Sequence, residues 1–217
     1  MKKMMTSLKA NIFAIGRHRF DVDGTGVRSL VVFAGCPLRC KYCINPYTWD
    51  GSKKAVAYTP EMLLQKVSVD SVYFQATNGG ITFGGGEPLL HSRFISDFID
   101  IAPTTWNYTV ETSLSVPFEN VEQVINKISH FVVDIKTLDE DKYYSYTNTH
   151  LDLAKQNLIS LLKIVGKERI TVRVPTIPGY VNIDSQNKTI AIPAGRPKLR
   201  MLNTMLKVIQ LVSKMPG

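Results

Sequence analysis

VRSLVVFAGCPLRCKYC, residues 27–43, joins an apolar run to a cluster of thiols. Residues 27–34 are rich in β-branched and aromatic side chains and contain no proline, which reads as a buried strand. Gly35 ends the run, and the next eight residues hold Cys36, Cys40 and Cys43, the only three cysteines of the chain. A site just beyond the carboxyl end of a parallel strand is where α/β folds place their chemistry.

Thiolates this close on one loop can converge on one centre. Soft sulfur ligands select zinc, copper(I) or iron–sulfur clusters. A structural zinc wants four protein ligands, and a 4Fe–4S cluster usually takes four cysteines. With no fourth cysteine, one coordination position is left for something else, as in catalytic metal sites. A disulfide would strand the third thiol, and a chain with three cysteines is no disulfide scaffold. The competing reading is a Cys3His zinc site with His18 or His91 as fourth ligand, although zinc ligands usually come as two separated pairs.

The spacing C-x-x-x-C-x-x-C, with Tyr42 before the third cysteine, resembles the radical S-adenosylmethionine (radical SAM) superfamily. The longer stretch GVRSLVVFAGCPLRCKYCINPYTWD, residues 26–50, is similar to the glycyl-radical-enzyme activases within it, those of pyruvate formate-lyase being nearest in pattern. The resemblance implies that Cys36, Cys40 and Cys43 are at once the metal ligands and the catalytic centre. They would hold three irons of a 4Fe–4S cluster, and the amino and carboxylate groups of S-adenosylmethionine would take the fourth. Tyr42 would face the adenine.

Further along, strands and helices alternate, which argues a parallel α/β sheet with right-handed crossovers. Thr59 and Pro60 read as the cap and first position of a helix. Residues 71–78 lead into a strand at 80–83, which runs into the glycine stretch at 84–86 and Glu87. Bare backbone there could approach a ligand closely. Residues 92–101 have the period of an amphipathic helix. Residues 107–113 read as a strand ending in Glu111, Thr112 and Ser113, 119–128 as a helix, and 130–136 as a strand on which Asp134 and Lys136 share one face. Residues 139–146 read as a loop with a helical turn, 151–165 as a helix ended by Gly166, 169–174 as a strand and 198–213 as an amphipathic helix.

The resemblance assigns roles to several of these residues. Gly85, Gly86 and Glu87 match a motif that binds the methionyl amino group through backbone and carboxylate. Asp134 and Lys136 match an Asp-x-Lys pair that contacts S-adenosylmethionine, and Arg173 matches an arginine on the same side of the barrel. Glu111 stands where relatives place a shorter acid beside a monovalent cation. Asp23 and Arg28 correspond to residues beside the partner's peptide. The implied fold is a partial, open (β/α)6 barrel. The resemblance covers residues 11–181 and fades over the basic tail, 182–217, so the barrel is shortened at its C-terminus if that tail supplies no sixth strand.

Bulk properties bound the rest. A chain of 217 residues with 44% hydrophobic content fits one globular domain, residues 1–217, with a full core. No apolar run reaches the ~20 residues of a membrane span, and the basic, methionine-rich N-terminus lacks the apolar core of a signal peptide. Sparse cysteine points to a reducing cytoplasm. The net charge is +8. Most of the excess lies in the tail, on Lys188, Arg196, Lys198, Arg200, Lys207 and Lys214, with no aromatic platform for nucleic acid.

The function implied by the resemblance is reductive cleavage of S-adenosylmethionine and formation of a glycyl radical on a partner enzyme, with flavodoxin or ferredoxin as electron donor. Pyruvate formate-lyase is the favoured partner because the chain lacks the extra cysteines of activases that carry a ferredoxin-like insert. The alternatives are an activator of anaerobic ribonucleotide reductase and a radical SAM enzyme acting on a small molecule or peptide.

Overall fold

The computed structural model describes residues 8–20, 23–50 and 54–175. In chain order its elements are β1 (Ala10–Phe20), β2 (Val27–Phe33), β3 (Val56–Tyr58), α1 (Pro60–Val67), α2 (Ser71–Thr77), β4 (Gly80–Gly85), α3 (Ser92–Ile101), β5 (Asn107–Thr112), α4 (Phe118–Glu122), β6 (His130–Asp134), α5 (Glu140–Thr147), α6 (Asp152–Val165) and β7 (Ile170–Arg173). They build one open seven-stranded sheet, ordered β3-β1-β2-β4-β5-β6-β7. β2, β4, β5, β6 and β7 pair in parallel, while β1 lies antiparallel to both β2 and β3. Parallel neighbours need long crossovers, and helices supply them here.

The two-residue period of each strand splits the sheet into unlike faces. Val31, Phe33, Ile81, Phe83, Val110, Phe131, Val133, Ile170 and Val172 are buried in one core. Leu63, Val67 and Phe74 from α1 and α2, Phe94, Ile95 and Phe98 from α3, and Leu158 and Leu161 from α6 close over it. Each such side chain contributes about 1.5–3 kcal/mol by leaving water. The opposite face carries Arg28, Thr82, Thr109, His130, Glu111, Asp134 and Arg173. Thr82 sits beside Thr109, Thr109 beside His130, and Asp134 beside Arg173. One side of the sheet is therefore a helix-covered core and the other a polar wall.

Local signals explain most boundaries. Thr59 Oγ1 accepts from the Met62 amide at 3.3 Å, and Pro60 needs no donor at the first position of α1. α3 occupies the expected residues. Four departures have physical reasons. The stretch before β4 is helix α2 from its first residue, although Val72, Tyr73 and Phe74 favour strands; only Phe74 among its side chains is buried. The 139–146 stretch is the two-turn helix α5, capped by Asp139 Oδ1 on the Lys142 amide at 3.1 Å. Its buried stripe is Tyr143, Tyr146 and Thr147, too polar to read as apolar period. The helix expected at 119–128 stops at Glu122 and continues as turns, with the Lys127 amide on the Val124 carbonyl at 2.8 Å. The short edge strand β3 gave no sequence signal. The helix expected at 198–213 and the sixth strand lie outside the described residues.

Candidate active site

The cysteine loop hangs between two parts of the fold. At its stem, the Ala34 amide bonds the Asn11 carbonyl at 2.9 Å, and the Gly35 amide bonds the Thr48 carbonyl at 2.5 Å. Thr48, fully buried, donates its hydroxyl and its amide to the Asn45 carbonyl, at 2.8 and 3.0 Å. On the far side, the amides of Arg39 and Lys41 donate to the carbonyls of Thr147 and Tyr146, at 2.7 and 3.0 Å. These are last-turn carbonyls of α5, the groups a helix leaves without internal partners. Arg39 curls over the loop: its Nη1 donates to the carbonyls of Cys36 and Leu38, at 2.6 and 2.9 Å, and its guanidinium lies 5.5 Å from the Trp49 ring centre.

Within this frame Cys36, Cys40 and Cys43 are half-buried free thiols. Burial pushes the Cys36 thiol up to about 12. Burial also raises Cys40, against the pull of the Lys136 ammonium. Cys36 and Cys40 are therefore protonated in the bare loop, and a metal must displace those protons to bind. Among the described residues, no three of His, Cys, Asp and Glu converge closely enough to hold a single ion. The imidazoles invoked for zinc are engaged elsewhere. His91 Nε2 meets the Ala34 carbonyl at 2.8 Å with its ring stacked on Phe33, and His18 Nε2 lies 3.0 Å from Asp70. Three partly accessible thiols on one loop, without a fourth protein ligand, suit a cluster in which each sulfur takes its own iron.

The glycine stretch packs against the stem of that loop. The Gly86 amide donates to the Phe33 carbonyl at 3.0 Å, and the Glu87 amide to the Gly35 carbonyl at 2.7 Å. A Cβ on Gly86 would stand 2.2 Å from the Gly35 carbonyl oxygen, and one on Gly85, at φ 99°, would stand 2.4 Å from Val32 Cγ1. These glycines are needed first for contact with the protein's own backbone.

Glu87 is 1% exposed, and four protein donors meet its carboxylate. Thr112 Oγ1 and the Leu89 amide bond Oε1, at 2.7 and 3.2 Å; the Ser113 amide and hydroxyl bond Oε2, at 2.9 and 2.7 Å. Burial pushes its pKa up, and the Ser113 and Thr112 donors pull it back. A carboxylate offers about four acceptor positions. With all of them engaged, Glu87 braces the end of β4 against the end of β5. Thr112 and Ser113, the partners in this brace, carried no distinct signal in the sequence.

Beyond them runs a charged wall. Arg173 Nη1 donates to Glu111 Oε1 at 2.8 Å, and its Nε and Nη2 donate to Asp134 Oδ1 and Oδ2, at 2.7 and 3.3 Å. Lys136 Nζ donates to Asp134 Oδ2 at 3.2 Å. Burial raises Asp134, but Lys136 and Arg173 together hold it below the usual carboxylate value. Burial also lowers Lys136, but Asp134 and Cys40 bring it above its ordinary value. Glu111, Asp134, Lys136 and Arg173 are thus brought together, and Lys136 faces the cysteine loop electrostatically. Tyr42 is 63% exposed and stacks on Tyr146, with ring centres 6.4 Å apart.

Asp23 and Arg28 lie at the other end of the strands. Five residues of β2 put Arg28 about 17 Å from the strand's carboxyl end. Arg28 Nε donates to Thr82 Oγ1 at 2.7 Å, and its Nη2 to the carbonyls of Ile81 and Asn107, at 2.6 and 3.0 Å. Burial lowers its pKa to about 10. Asp23 is paired with Arg19, and its carbonyl accepts from Thr82 Oγ1 at 2.9 Å. Asp23 is 4% exposed and Arg28 1%. Their placement makes them a floor under the polar wall.

The Radical SAM superfamily model matches residues 30–185, which includes the cysteine loop, the glycine stretch and the charged wall. The chain is 36% identical to the pyruvate formate-lyase-activating enzyme of Clostridium pasteurianum over 70% of its own length and 61% of that protein's. It is 26% identical to the indoleacetate decarboxylase activating enzyme of Tractidigestivibacter scatoligenes, over 94% of this chain and 85% of that one. It thus spans about three fifths of the Clostridium enzyme's length. A crystal structure of Streptococcus suis SuiB bound to precursor peptide SuiA superposes with a TM-score of 0.55 at 16% identity, over 70% of this chain and 34% of that one, a likeness of fold. The match through 30–185, together with a cysteine loop seated at the end of a parallel strand, places this chain in the radical SAM superfamily.

Proposed function

We propose that this protein is a glycyl-radical-enzyme activase. Cys36, Cys40 and Cys43 would hold a 4Fe–4S cluster, Asp134 and Lys136 would contact S-adenosylmethionine, and the substrate would be a glycine of a large partner enzyme. The observation that carries the reading is the seating of all three cysteines on one loop pinned between β2 and α5. When bound, the cluster supplies the electron that cleaves S-adenosylmethionine reductively, chemistry that belongs to the cofactor.

The chain's own residues bind and orient. The Gly85–Gly86 backbone, held against the loop stem, sets the distance between the cysteines and the methionyl end of the ligand, and Glu87 makes that spacing rigid through β5. Lys136 and Asp134 offer one charge of each sign for the ligand's polar groups. Tyr42, exposed beside the third cysteine, would stack on a flat base. This reading needs no general base.

Pyruvate formate-lyase is the favoured partner, supported by the 36% identity to one of its activating enzymes. Likeness to the indoleacetate decarboxylase activating enzyme keeps the target class at glycyl radical enzymes generally. A flavodoxin or ferredoxin donor and a cytoplasmic, anaerobic setting belong to the same proposal. Among the described residues no helix is long and apolar enough to cross a membrane.

The test is anaerobic reconstitution with iron and sulfide, then assay for 5′-deoxyadenosine and for a glycyl radical by electron paramagnetic resonance, with and without pyruvate formate-lyase. The expected result is cleavage coupled to a radical on the added enzyme. Efficient turnover on a small molecule without any protein partner would overturn it.

A further inference from the structure

Two carboxylates on adjacent strands face the same side of the sheet. Glu111 comes from β5 and Asp134 from the end of β6, and their side chains are 16% and 27% exposed. Two like charges in a half-buried wall repel, and each lacks the hydration that would offset burial. Such a pair needs a cation between its members. Here the cation is part of the chain. β7 lies parallel to β6 with Arg173 beside Asp134, and the guanidinium reaches Glu111 at 2.8 Å while gripping Asp134 at 2.7 and 3.3 Å. Lys136 adds a second positive charge to Asp134 at 3.2 Å.

The family resemblance implies a monovalent cation near Glu111. The residues present do not fit one. A metal ion between these carboxylates would compete with a guanidinium that already donates to both, and it would sit against that guanidinium's own charge. The rigid fork of arginine bonds two carboxylates in different directions at once, which the point charge of lysine does not.

We propose that Arg173 is the built-in counter-cation of this site, clamping β5, β6 and β7 together at their carboxyl ends, and that the site takes no inorganic monovalent cation. Arg173 is then a positioning residue. It fixes Asp134, and through Asp134 it fixes Lys136. The inference rests on the proposed S-adenosylmethionine site only for what the clamp serves; the clamp itself stands on the ion pairs.

The experiment has two arms. In the first, thermal midpoints of the purified full chain are measured in potassium, sodium and choline chloride at equal ionic strength, for the native protein, Glu111→Gln, Arg173→Gln and the double variant. The native midpoint should be the same in all three salts. Arg173→Gln should melt lower and regain stability in sodium or potassium but not in choline. The double variant should melt no lower than Arg173→Gln, because the stranded carboxylate is gone. A native midpoint that falls in choline, or single losses that simply add in the double variant, would overturn the proposal. In the second arm, S-adenosylmethionine binding to the cluster-loaded native protein is measured calorimetrically in the same salts. Affinities should agree within a factor of two. A loss of about tenfold or more in choline would overturn cation independence. If the chain binds no S-adenosylmethionine in any salt, the functional reading fails, while the first arm still decides the clamp. If Arg173→Gln does not fold, the native comparison across salts and the Glu111→Gln midpoint still decide, since loss of the clamp predicts a lower midpoint for Glu111→Gln than for native.

Discussion

Ser113 gives Glu87 two hydrogen bonds to a single oxygen, one from its amide at 2.9 Å and one from its hydroxyl at 2.7 Å. This doubled contact ties the loop after β4 to the end of β5, inside the fold. Glu87→Ala should therefore act on stability first. Its loss leaves buried donors on Thr112, Ser113 and Leu89 without an acceptor, a change of about 2–3 kcal/mol. Ser113→Ala removes one donor of the four and should cost about 1 kcal/mol. Urea unfolding of both variants checks this. Equal, near-zero effects would show that the brace does not hold.

Gly86→Ala places a methyl group 2.2 Å from the Gly35 carbonyl oxygen, a backbone atom that cannot swing away. The cysteine-loop stem must shift, at about 1–3 kcal/mol for overpacking of this kind. Iron uptake after anaerobic reconstitution should fall with it. Normal stability and normal iron content in Gly86→Ala would contradict the close packing described above.

Single Cys→Ser changes at Cys36, Cys40 and Cys43 should each bring bound iron and acid-labile sulfide close to background. The circular dichroism should stay as it is, since no thiol lies in the sheet or its core. Stoichiometric zinc in native protein purified without oxygen, with no labile sulfide, would reverse this expectation.

Asp70 contributes to the acid limit of the fold. It is fully buried beside the register shift of β1 between Gly16 and Arg19, and it receives Arg17, Ser29 and His18. Burial pushes its carboxyl up, and these partners more than offset it, so the folded value lies below the ordinary one. A carboxyl depressed in the folded state contributes stability above its unfolded value of about 3.9. That contribution is lost as pH falls through the folded value. Urea midpoints of the native protein should drop on acidification below about pH 4. Asp70→Asn should be weaker at neutral pH and show less of that drop. Parallel curves for the two proteins would refute the assignment.

How far the sequence reached depended on what each feature is made of. The parallel strands could be read because their buried faces are mostly Val, Ile and Phe at a period of two, and α1 because Thr59 and Pro60 mark its start. The cysteine loop and the Asp134–Lys136 pair were visible as motifs. The brace at Glu87 was hidden, because its partners across the fold are two hydroxyls and an amide at the end of β5, groups found everywhere. Arg28 shows the same limit from the other side. Nothing in an arginine near the start of an apolar strand tells that it is held inside; the carbonyls of Ile81 and Asn107, brought together by the sheet, do. The support that α5 gives to the loop was also invisible, since it uses main-chain carbonyls and no side chain at all.

That support bears on how the protein is made. The amides of Arg39 and Lys41 depend on carbonyls more than a hundred residues downstream, at Thr147 and Tyr146. The thiols leave the ribosome long before their scaffold does. Until the later segment has emerged and docked, they belong to a nascent peptide with one side of its hold missing. Iron and sulfide delivered in that interval would meet an unshaped ligand set, so cofactor insertion belongs after translation has passed Thr147, under conditions that keep the waiting sulfurs reduced.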